Sequence, residues 1–197
     1  MNADDLGYTE AINRGILEAH ERGIVTSTSL MVDRPAAEDG VARVRGTRLS
    51  IGLHAVLDGV PAARAADELD RQLARFVDLV GERPTHVDTH HHTHREDAYR
   101  ETFGDFAEHE GLRARDLSVQ HEPRFYGAPA ITVGRLLDVL ETLPEGASEL
   151  GCHPGYTEGL RSRYVEERVT EVATLTDPRV RDRLDELGIE LIGWDEL

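Results

Sequence analysis

The sequence predicts an α/β fold in which parallel strands form an irregular (β/α) barrel of about seven strands. Short apolar runs alternate with amphipathic stretches along the whole chain, and no break in composition indicates a linker. Because a crossover helix between two strands places those strands parallel, this alternation predicts one parallel sheet. A doubly wound open parallel sheet is the alternative. With 197 residues, of which 39% are hydrophobic, we expect residues 1–197 to form a single domain.

The first half of the chain alternates strictly between strands and helices. Apolar and β-branched runs predict strands at residues 1–4, 24–31, 49–57 and 85–90. Apolar residues spaced three and four apart predict helices at residues 9–22, 35–45 and 65–80. In the helix of residues 9–22, for example, Ile12, Ile16 and Ala19 share one face, and Gly23 follows as a stop signal.

The second half continues the alternation with weaker strand signals. Helical spacing covers residues 95–109, 131–143, 162–175 and 178–187. The last two helices are separate because the residue before a proline, here Pro178, disfavours helical geometry. The remaining strands are expected at residues 112–115, 147–153 and 189–194, which brings the number to seven.

The composition excludes several classes of function. The formal net charge is −16, which would repel a phosphate backbone, so we expect no nucleic-acid partner. All 22 basic residues are arginines, which excludes a lysine Schiff base and a P-loop lysine.

The sequence also bears on location and assembly. No stretch approaches the roughly 20 apolar residues of a membrane span, and no signal-peptide pattern is present, so we expect no membrane partner. Cys152 is the one cysteine and has no internal disulfide partner, and we expect a cytoplasmic protein. A homo-oligomer is compatible with the sequence, which reveals no interface.

Polar residues that can bind a metal ion stand on four of the predicted strands. Asp4 and Asp5 end the first strand, and His54 lies in the third. A histidine cluster at residues 86–94 ends the fourth strand, and the segment 152–156, CHPGY, ends the sixth. In parallel α/β folds, active sites gather at the carboxyl ends of the strands, so we expect these residues to converge.

The histidine cluster HVDTHHHTH holds five of the ten histidines in the chain. On an extended strand, alternate residues share one face, here His86, Asp88, His90, His92 and His94. Neutral imidazole is a common metal ligand, and an adjacent carboxylate can fix its tautomer. Because a catalytic metal ion usually takes three protein ligands, not all five histidines can bind it. The roles of His86, His91, His92 and His94 stay open.

Six motifs in order resemble those of the YdjC-like (ChbG-type) carbohydrate deacetylases: NADDLG, NRGILEAHERGIVTSTSLMV, GLH, PTHVDTHHHTH, LPEGASELGCHPGY and LTDPRVRDRLDELGIELIGW. The resemblance implies a (β/α) barrel of the glycoside hydrolase/deacetylase type. It also implies a metal-dependent hydrolase that removes acetyl groups from N-acetylated sugars such as chito-oligosaccharides, in oligosaccharide degradation. A small N-acetylated sugar is therefore the expected partner. Only Met1 precedes NADD, so we expect the first strand to be truncated or misassigned at its start.

The same resemblance implies roles for individual residues. It makes Asp5, His54 and His90 the ligands of one divalent metal ion, Asp4 the general base and His153 the general acid. The family's metal is usually magnesium, but two imidazoles and one carboxylate also suit zinc, so both ions stay open.

Other interpretations remain. From spacing alone, Asp88 is expected to form a hydrogen bond with one of the histidines and so to orient its ring. The chain could be a related metal-dependent hydrolase of another amide, an ester or a phosphoester, for which Arg161 and Arg163 would supply positive charge near the metal. It could also be a non-catalytic metal-binding protein.

Overall fold

A computed structural model describes residues 1–160 and 162–197, and its seven strands form one parallel sheet. The strands are β1 (Asn2–Leu6), β2 (Ser27–Leu30), β3 (Ser50–Ala55), β4 (His86–Thr89), β5 (Arg113–Ala114), β6 (Gln120–Glu122) and β7 (Ser148–Cys152). Their spatial order is β5-β4-β3-β2-β1-β7-β6, and every pairing is parallel. The predicted parallel α/β fold is confirmed.

The sheet curls into a half-barrel. Arg115, directly after β5, makes ion pairs of 2.8 Å with Asp4 on β1 and with Glu149 on β7. In a flat sheet, four inter-strand steps would separate β5 from β1 by about 19 Å, which is too far for one side chain. An isolated parallel bridge between Arg115 and Val119 also connects the segments that flank β5 and β6. The curved sheet agrees with the predicted barrel rather than with the open-sheet alternative.

Seven α-helices accompany the strands in the described part of the chain. They are α1 (Glu10–Glu21), α2 (Ala37–Val44), α3 (Ala65–Val80), α4 (Asp97–Glu110), α5 (Val133–Leu140), α6 (Glu166–Leu175) and α7 (Pro178–Leu187). Each predicted helix is present, with ends shifted by up to four residues. Helix α1 begins where the Thr9 side chain accepts the backbone N–H of Ile12, at 3.1 Å. None of these helices is long and apolar enough to cross a membrane.

The prediction of a strand at residues 189–194 is wrong. Residues 189–193 have no regular secondary structure, and a short 3₁₀ helix follows at Trp194–Glu196. The sheet position beside β7 is occupied by β6, so this apolar segment packs against the core instead of pairing with a strand. The additional strand β6 lies between the predicted strand at residues 112–115 and the predicted helix at residues 131–143, where no strand was predicted.

Buried polar side chains fill the inside of the half-barrel. They come from five strands and from the end of β5, and they contact one another: Asn2, Asp4, Ser29, His54, Asp88, Arg115 and Glu149. The apolar core consists of helix faces and the strand residues that they cover, such as Ile12, Ile16 and Leu53, all fully buried. The polar interior lies directly beneath the candidate site.

Candidate active site

The adjacent residues Asp4 and Asp5 on β1 both line one cleft, and both are buried. In a regular strand, neighbouring side chains would point to opposite faces. However, the register of β1 against β2 shifts between Ala3 and Leu6, and Asp5 has a φ of 72°. This left-handed conformation is uncommon for a residue other than glycine. The bulge therefore turns both carboxylates towards the same cleft, at some conformational cost.

Three potential ligand atoms from Asp5, His54 and His90 face one another. Asp5 Oδ1 lies 3.5 Å from His54 Nε2 and 3.2 Å from His90 Nδ1, and the two nitrogens are 3.3 Å apart. A tetrahedral zinc ion with the usual bond lengths would separate its ligands by about 3.4 Å. The structure thus brings together the three residues that the sequence analysis named as metal ligands.

One atom of this cluster shows that the residues fit a bound cation. Asp5 Oδ1 is buried, yet no hydrogen-bond donor satisfies it among residues 1–160 and 162–197. A buried carboxylate oxygen without a partner is costly. A divalent cation between Asp5, His54 and His90 would complete its coordination, and one oxygen with two imidazole nitrogens is a common donor set for such ions.

Asp88 orients His54. His54 Nδ1 lies 2.7 Å from Asp88 Oδ1, so Nδ1 carries a hydrogen and Nε2 is the ring nitrogen that would bind a metal ion in the cluster. Ser29 Oγ donates to the other Asp88 oxygen, at 3.0 Å. Burial alone would lower the pKa of His54, but the carboxylates of Asp88 and Asp5 outweigh it and raise the pKa to about 10. The same negative surroundings would attract a metal ion.

Arg168 on α6 holds the second oxygen of Asp5. Its guanidinium donates to Asp5 Oδ2 at 2.5 Å and to the backbone carbonyl of His153 at 3.3 Å. Arg168 is buried. Because Oδ2 is engaged by Arg168, Oδ1 is the oxygen that faces the two histidines. Arg168 was not predicted as a site residue, because an arginine in an amphipathic helix resembles a surface residue.

Arg115 holds Asp4. Two of its nitrogens donate to the two Asp4 oxygens, each at 2.8 Å, and the guanidinium also pairs with Asp88 at 2.9 Å and Glu149 at 2.8 Å. Arg115 is fully buried. Burial would raise the pKa of Asp4, but Arg115 outweighs it and keeps that pKa well below its usual range. Asp4 is therefore ionised at any ordinary pH. Arg115 was not among the site residues predicted from the sequence.

His153 follows β7, and its imidazole faces Asp4. His153 Nε2 lies 3.8 Å from Asp4 Oδ2, and His153 Nδ1 has no hydrogen-bond partner in the described residues. Burial lowers the pKa of His153, although Asp4 and Asp5 oppose this effect. His153 is therefore a neutral imidazole near pH 7 in the absence of a metal ion.

Glu171, another residue that the sequence analysis missed, supports His153 from α6. The Glu171 carboxylate is fully buried and accepts the backbone N–H of His153 and the hydroxyl of Tyr164. Burial raises the pKa of Glu171 to about 7. One side chain of α6 thus fixes both His153 and an aromatic wall of the cleft.

The expectation that His86 to His94 share one strand face is wrong beyond His90. Strand β4 ends at Thr89, and His90–Arg95 form a 3₁₀ segment in which His91 and His92 have positive φ angles. The backbone therefore leaves the sheet, and the histidine side chains diverge.

The remaining histidines have different surroundings. His86 is fully buried and stacks on Trp194, with ring centres 4.7 Å apart. His91 is exposed beside Asp58, His92 lies near His121, and His94 contacts Thr89 and Asp116. None of these histidines belongs to the cluster of Asp5, His54 and His90.

The cluster opens into a cleft of about 820 Å³. This volume is within the usual range for a small-molecule site. Its outer walls carry arginine and tyrosine side chains, among them Tyr8, Arg34, Arg95, Tyr126, Arg163 and Tyr164. Arg163, named in the sequence analysis as a source of positive charge, lines this cleft, whereas Arg161 lies outside the described residues.

Comparisons with known proteins match the whole chain. The family model of YdjC-like proteins matches residues 1–66 and 58–186. A carbohydrate deacetylase from Geobacillus stearothermophilus is 32% identical over 237 residues, which span 100% of this chain and 96% of that protein. A chitooligosaccharide deacetylase from Serratia marcescens is 32% identical over 248 residues, which span 100% and 98% of the two chains.

A solved structure resembles this chain in both fold and sequence. A candidate cellobiose-phosphate cleavage protein from Enterococcus faecalis superposes with a TM-score of 0.89 at 26% identity. The match covers 99% of this chain and 96% of that protein. The superposition and the sequence identity therefore both relate this chain to that protein over almost its whole length.

Proposed function

Because this chain belongs to the YdjC-like protein family, we propose that it is a metal-dependent hydrolase that removes acetyl groups from N-acetylated carbohydrates. Relatives named carbohydrate deacetylase and chitooligosaccharide deacetylase, matched over almost their whole lengths, support chito-oligosaccharides as the substrate class. The observation that carries the metal dependence is the buried cluster of Asp5, His54 and His90, with its unsatisfied Asp5 oxygen.

In this proposal, Asp5, His54 and His90 hold one divalent ion at the base of the cleft. When bound, such an ion would lower the pKa of a water molecule and polarise the acetyl carbonyl. Two imidazole nitrogens beside one carboxylate oxygen favour zinc or a similar transition metal over magnesium, which prefers oxygen ligands. Arg168 keeps Asp5 Oδ1 directed at the ion by engaging Oδ2.

Asp4 acts as the general base. Arg115 keeps its carboxylate ionised, and Asn2 donates to Oδ1 at 2.8 Å. Oδ2 accepts one hydrogen bond from Arg115 and faces His153, so it is the oxygen with room for a proton. Asp4 removes a proton from the water that attacks the acetyl carbon.

His153 delivers a proton to the leaving nitrogen. In its neutral state it must first gain one, and Asp4 Oδ2 lies 3.8 Å from its Nε2. A small movement brings these two atoms into hydrogen-bond range, so the proton taken from water passes from Asp4 to His153 and then to the sugar nitrogen as the C–N bond breaks. The backbone hydrogen bond from His153 to Glu171 holds the imidazole at this position.

The variant Asp4→Asn tests the function and the base assignment together. Acetate release from N,N′-diacetylchitobiose is measured, with the metal content of each sample determined in parallel. The wild type is expected to release acetate, and Asp4→Asn is expected to lose about 10²–10⁴-fold in kcat while retaining the metal ion. The matched control is Asp105→Asn, an exposed aspartate on α4, with unchanged turnover expected. Full turnover in Asp4→Asn would refute the role of Asp4, and no acetate release by the metal-loaded wild type would refute the proposed function.

A further inference from the structure

Tyr126 is an exposed aromatic side chain at the wall of the cleft, and 60% of its surface is accessible. In the described part of the chain, the large hydrophobic side chains with high exposure are Leu117, Tyr126, Val169, Leu187 and Leu197. Among them, Tyr126 alone is aromatic and alone lines the cleft. Its hydroxyl group has no hydrogen-bond partner in residues 1–160 and 162–197, so no hydrogen bond of that group within the described structure explains why this large side chain is exposed.

The ring of Tyr126 is held in place although it is exposed. It stacks on Tyr164, with ring centres 5.2 Å apart and planes at 16°, and its edge faces His153 at 5.5 Å. The backbone N–H of Gly127 donates to the Tyr164 hydroxyl at 3.1 Å. That hydroxyl donates to Glu171, which also accepts the backbone N–H of His153.

This network joins the aromatic ring to the candidate general acid. Glu171 and the stacking partner Tyr164 belong to one hydrogen-bonded unit with His153. A preorganised ring loses little conformational entropy when a ligand packs on it. Because Tyr164 covers one face of Tyr126, the accessible surface belongs to the other face and the edges.

We propose that Tyr126 is a binding platform for the pyranose ring that carries the reacting acetamido group. The inference rests on the proposed function and deepens it. A pyranose ring presents a face of C–H groups, which packs favourably on the electron-rich face of an aromatic ring. The leaving nitrogen is bonded directly to this pyranose ring and must contact His153, whose ring centre is 5.5 Å from that of Tyr126. The sugar residue within reach of both side chains is therefore the reacting one.

The alternative is that Tyr126 only packs against His153 and positions it. The two roles differ in their kinetic effect. A lost binding surface raises KM with little change in kcat, because substrate and transition state lose the same contact. A displaced general acid lowers kcat. The KM and kcat of Tyr126 variants therefore separate the platform from a purely structural role.

The experiment compares Tyr126→Ala with the metal-loaded wild type on N-acetylglucosamine and on N,N′-diacetylchitobiose. We expect KM to rise by about tenfold for both sugars, with kcat within about twofold. Tyr126→Phe retains the ring and is expected to recover the affinity that Tyr126→Ala loses. The matched control is Leu117→Ala, which truncates a side chain of the same 60% exposure that does not line the cleft. Circular dichroism checks the fold of each variant.

Two results would overturn this proposal. The first is an unchanged KM in Tyr126→Ala, with or without a fall in kcat. The second is an effect confined to the disaccharide, which would place a neighbouring sugar ring on Tyr126. Calorimetric titration with N,N′-diacetylchitobiose separates this inference from the proposed function. If the wild type binds the sugar without releasing acetate, the proposed function fails, and about tenfold weaker binding to Tyr126→Ala still supports the platform. Absence of binding by the wild type refutes the platform as well.

Discussion

The substitution Arg115→Met tests the charge network beneath the site. Arg115 is the cation that three buried carboxylates share, those of Asp4, Asp88 and Glu149, at 2.8–2.9 Å. Methionine fills a similar volume without charge or hydrogen-bond donors. All three carboxylates would keep their burial and lose this partner.

The expected loss of stability is large. Removal of one partner from a buried ion pair costs about 3–5 kcal/mol, because the remaining charge is left uncompensated. Three carboxylates depend on Arg115, so we expect the free energy of unfolding at pH 7 to fall by about 5 kcal/mol. Typical domains have only about 5–15 kcal/mol in total.

The pH dependence of this loss has a definite sign. In the wild type, Arg115 outweighs burial and lowers the pKa of Asp4, Asp88 and Glu149. The free energy of unfolding therefore decreases as the pH falls below about 4.5, because the unfolded chain takes up protons more readily at these groups. In Arg115→Met, burial acts on these carboxylates without its main opponent, so their pKa values rise relative to the wild type. The folded variant then binds more protons than the folded wild type at the same pH, and its stability deficit shrinks as the pH falls from 7 to 5.

Urea unfolding followed by circular dichroism at pH 7 and pH 5 measures both effects. The control Arg64→Met removes an exposed arginine that pairs with Asp67 at 3.0 Å, and we expect its unfolding free energy to stay close to that of the wild type at both pH values. A deficit of less than about 1 kcal/mol in Arg115→Met at pH 7, or an equal deficit at both pH values, would show that the reasoning is wrong.

Two further predictions concern the buried residues Asp88 and His86. Asp88→Asn weakens the orientation of His54, and we expect about 10–100-fold lower zinc affinity by calorimetric titration; unchanged affinity would contradict the role of Asp88. Burial lowers the pKa of His86 from 6.5 to about 4, so the neutral imidazole stabilises the fold above pH 6.5 and this contribution is lost as the pH falls towards 4. Between pH 7 and pH 4, the wild type is expected to lose about 3 kcal/mol more unfolding free energy than His86→Gln, and parallel losses would contradict this account.

Much of the architecture follows from local sequence patterns. The helices have regular apolar spacing, and the central strands are apolar or β-branched runs, so their positions could be predicted without long-range information. Parallel strands bring their carboxyl ends to one edge, which explains why the polar residues of four strands could be expected to converge. The choice of Asp5, His54 and His90 among them came from the resemblance to the YdjC-like family.

Other features depend on contacts that no local pattern reveals. Arg115 is separated from Asp4 by 111 residues and Arg168 from Asp5 by 163, and in the sequence both arginines resemble exposed residues. Strand β6 has the polar sequence QHE and no apolar run. The segment 189–194 has a strand-like composition, but β6 occupies the sheet position next to β7.

The bulge in β1 also could not be predicted from the sequence. The sequence shows two adjacent aspartates, and strand alternation alone would separate their side chains. The φ of 72° at Asp5 brings both carboxylates into the cleft, one towards the histidines and the other towards His153. Backbone geometry of this kind depends on neighbouring strands and helices rather than on the residue itself.

Metal stoichiometry measured together with acetate release tests the central claim most directly. Elemental mass spectrometry of the wild type, His90→Asn and the exposed control His109→Asn is combined with an assay on N,N′-diacetylchitobiose before chelation, after chelation and after return of a divalent ion. We expect one ion per chain in the wild type and in His109→Asn, acetate release that chelation abolishes and the ion restores, and loss of both ion and activity in His90→Asn. Undiminished acetate release by metal-free wild type, or a full complement of metal in His90→Asn, would contradict the account.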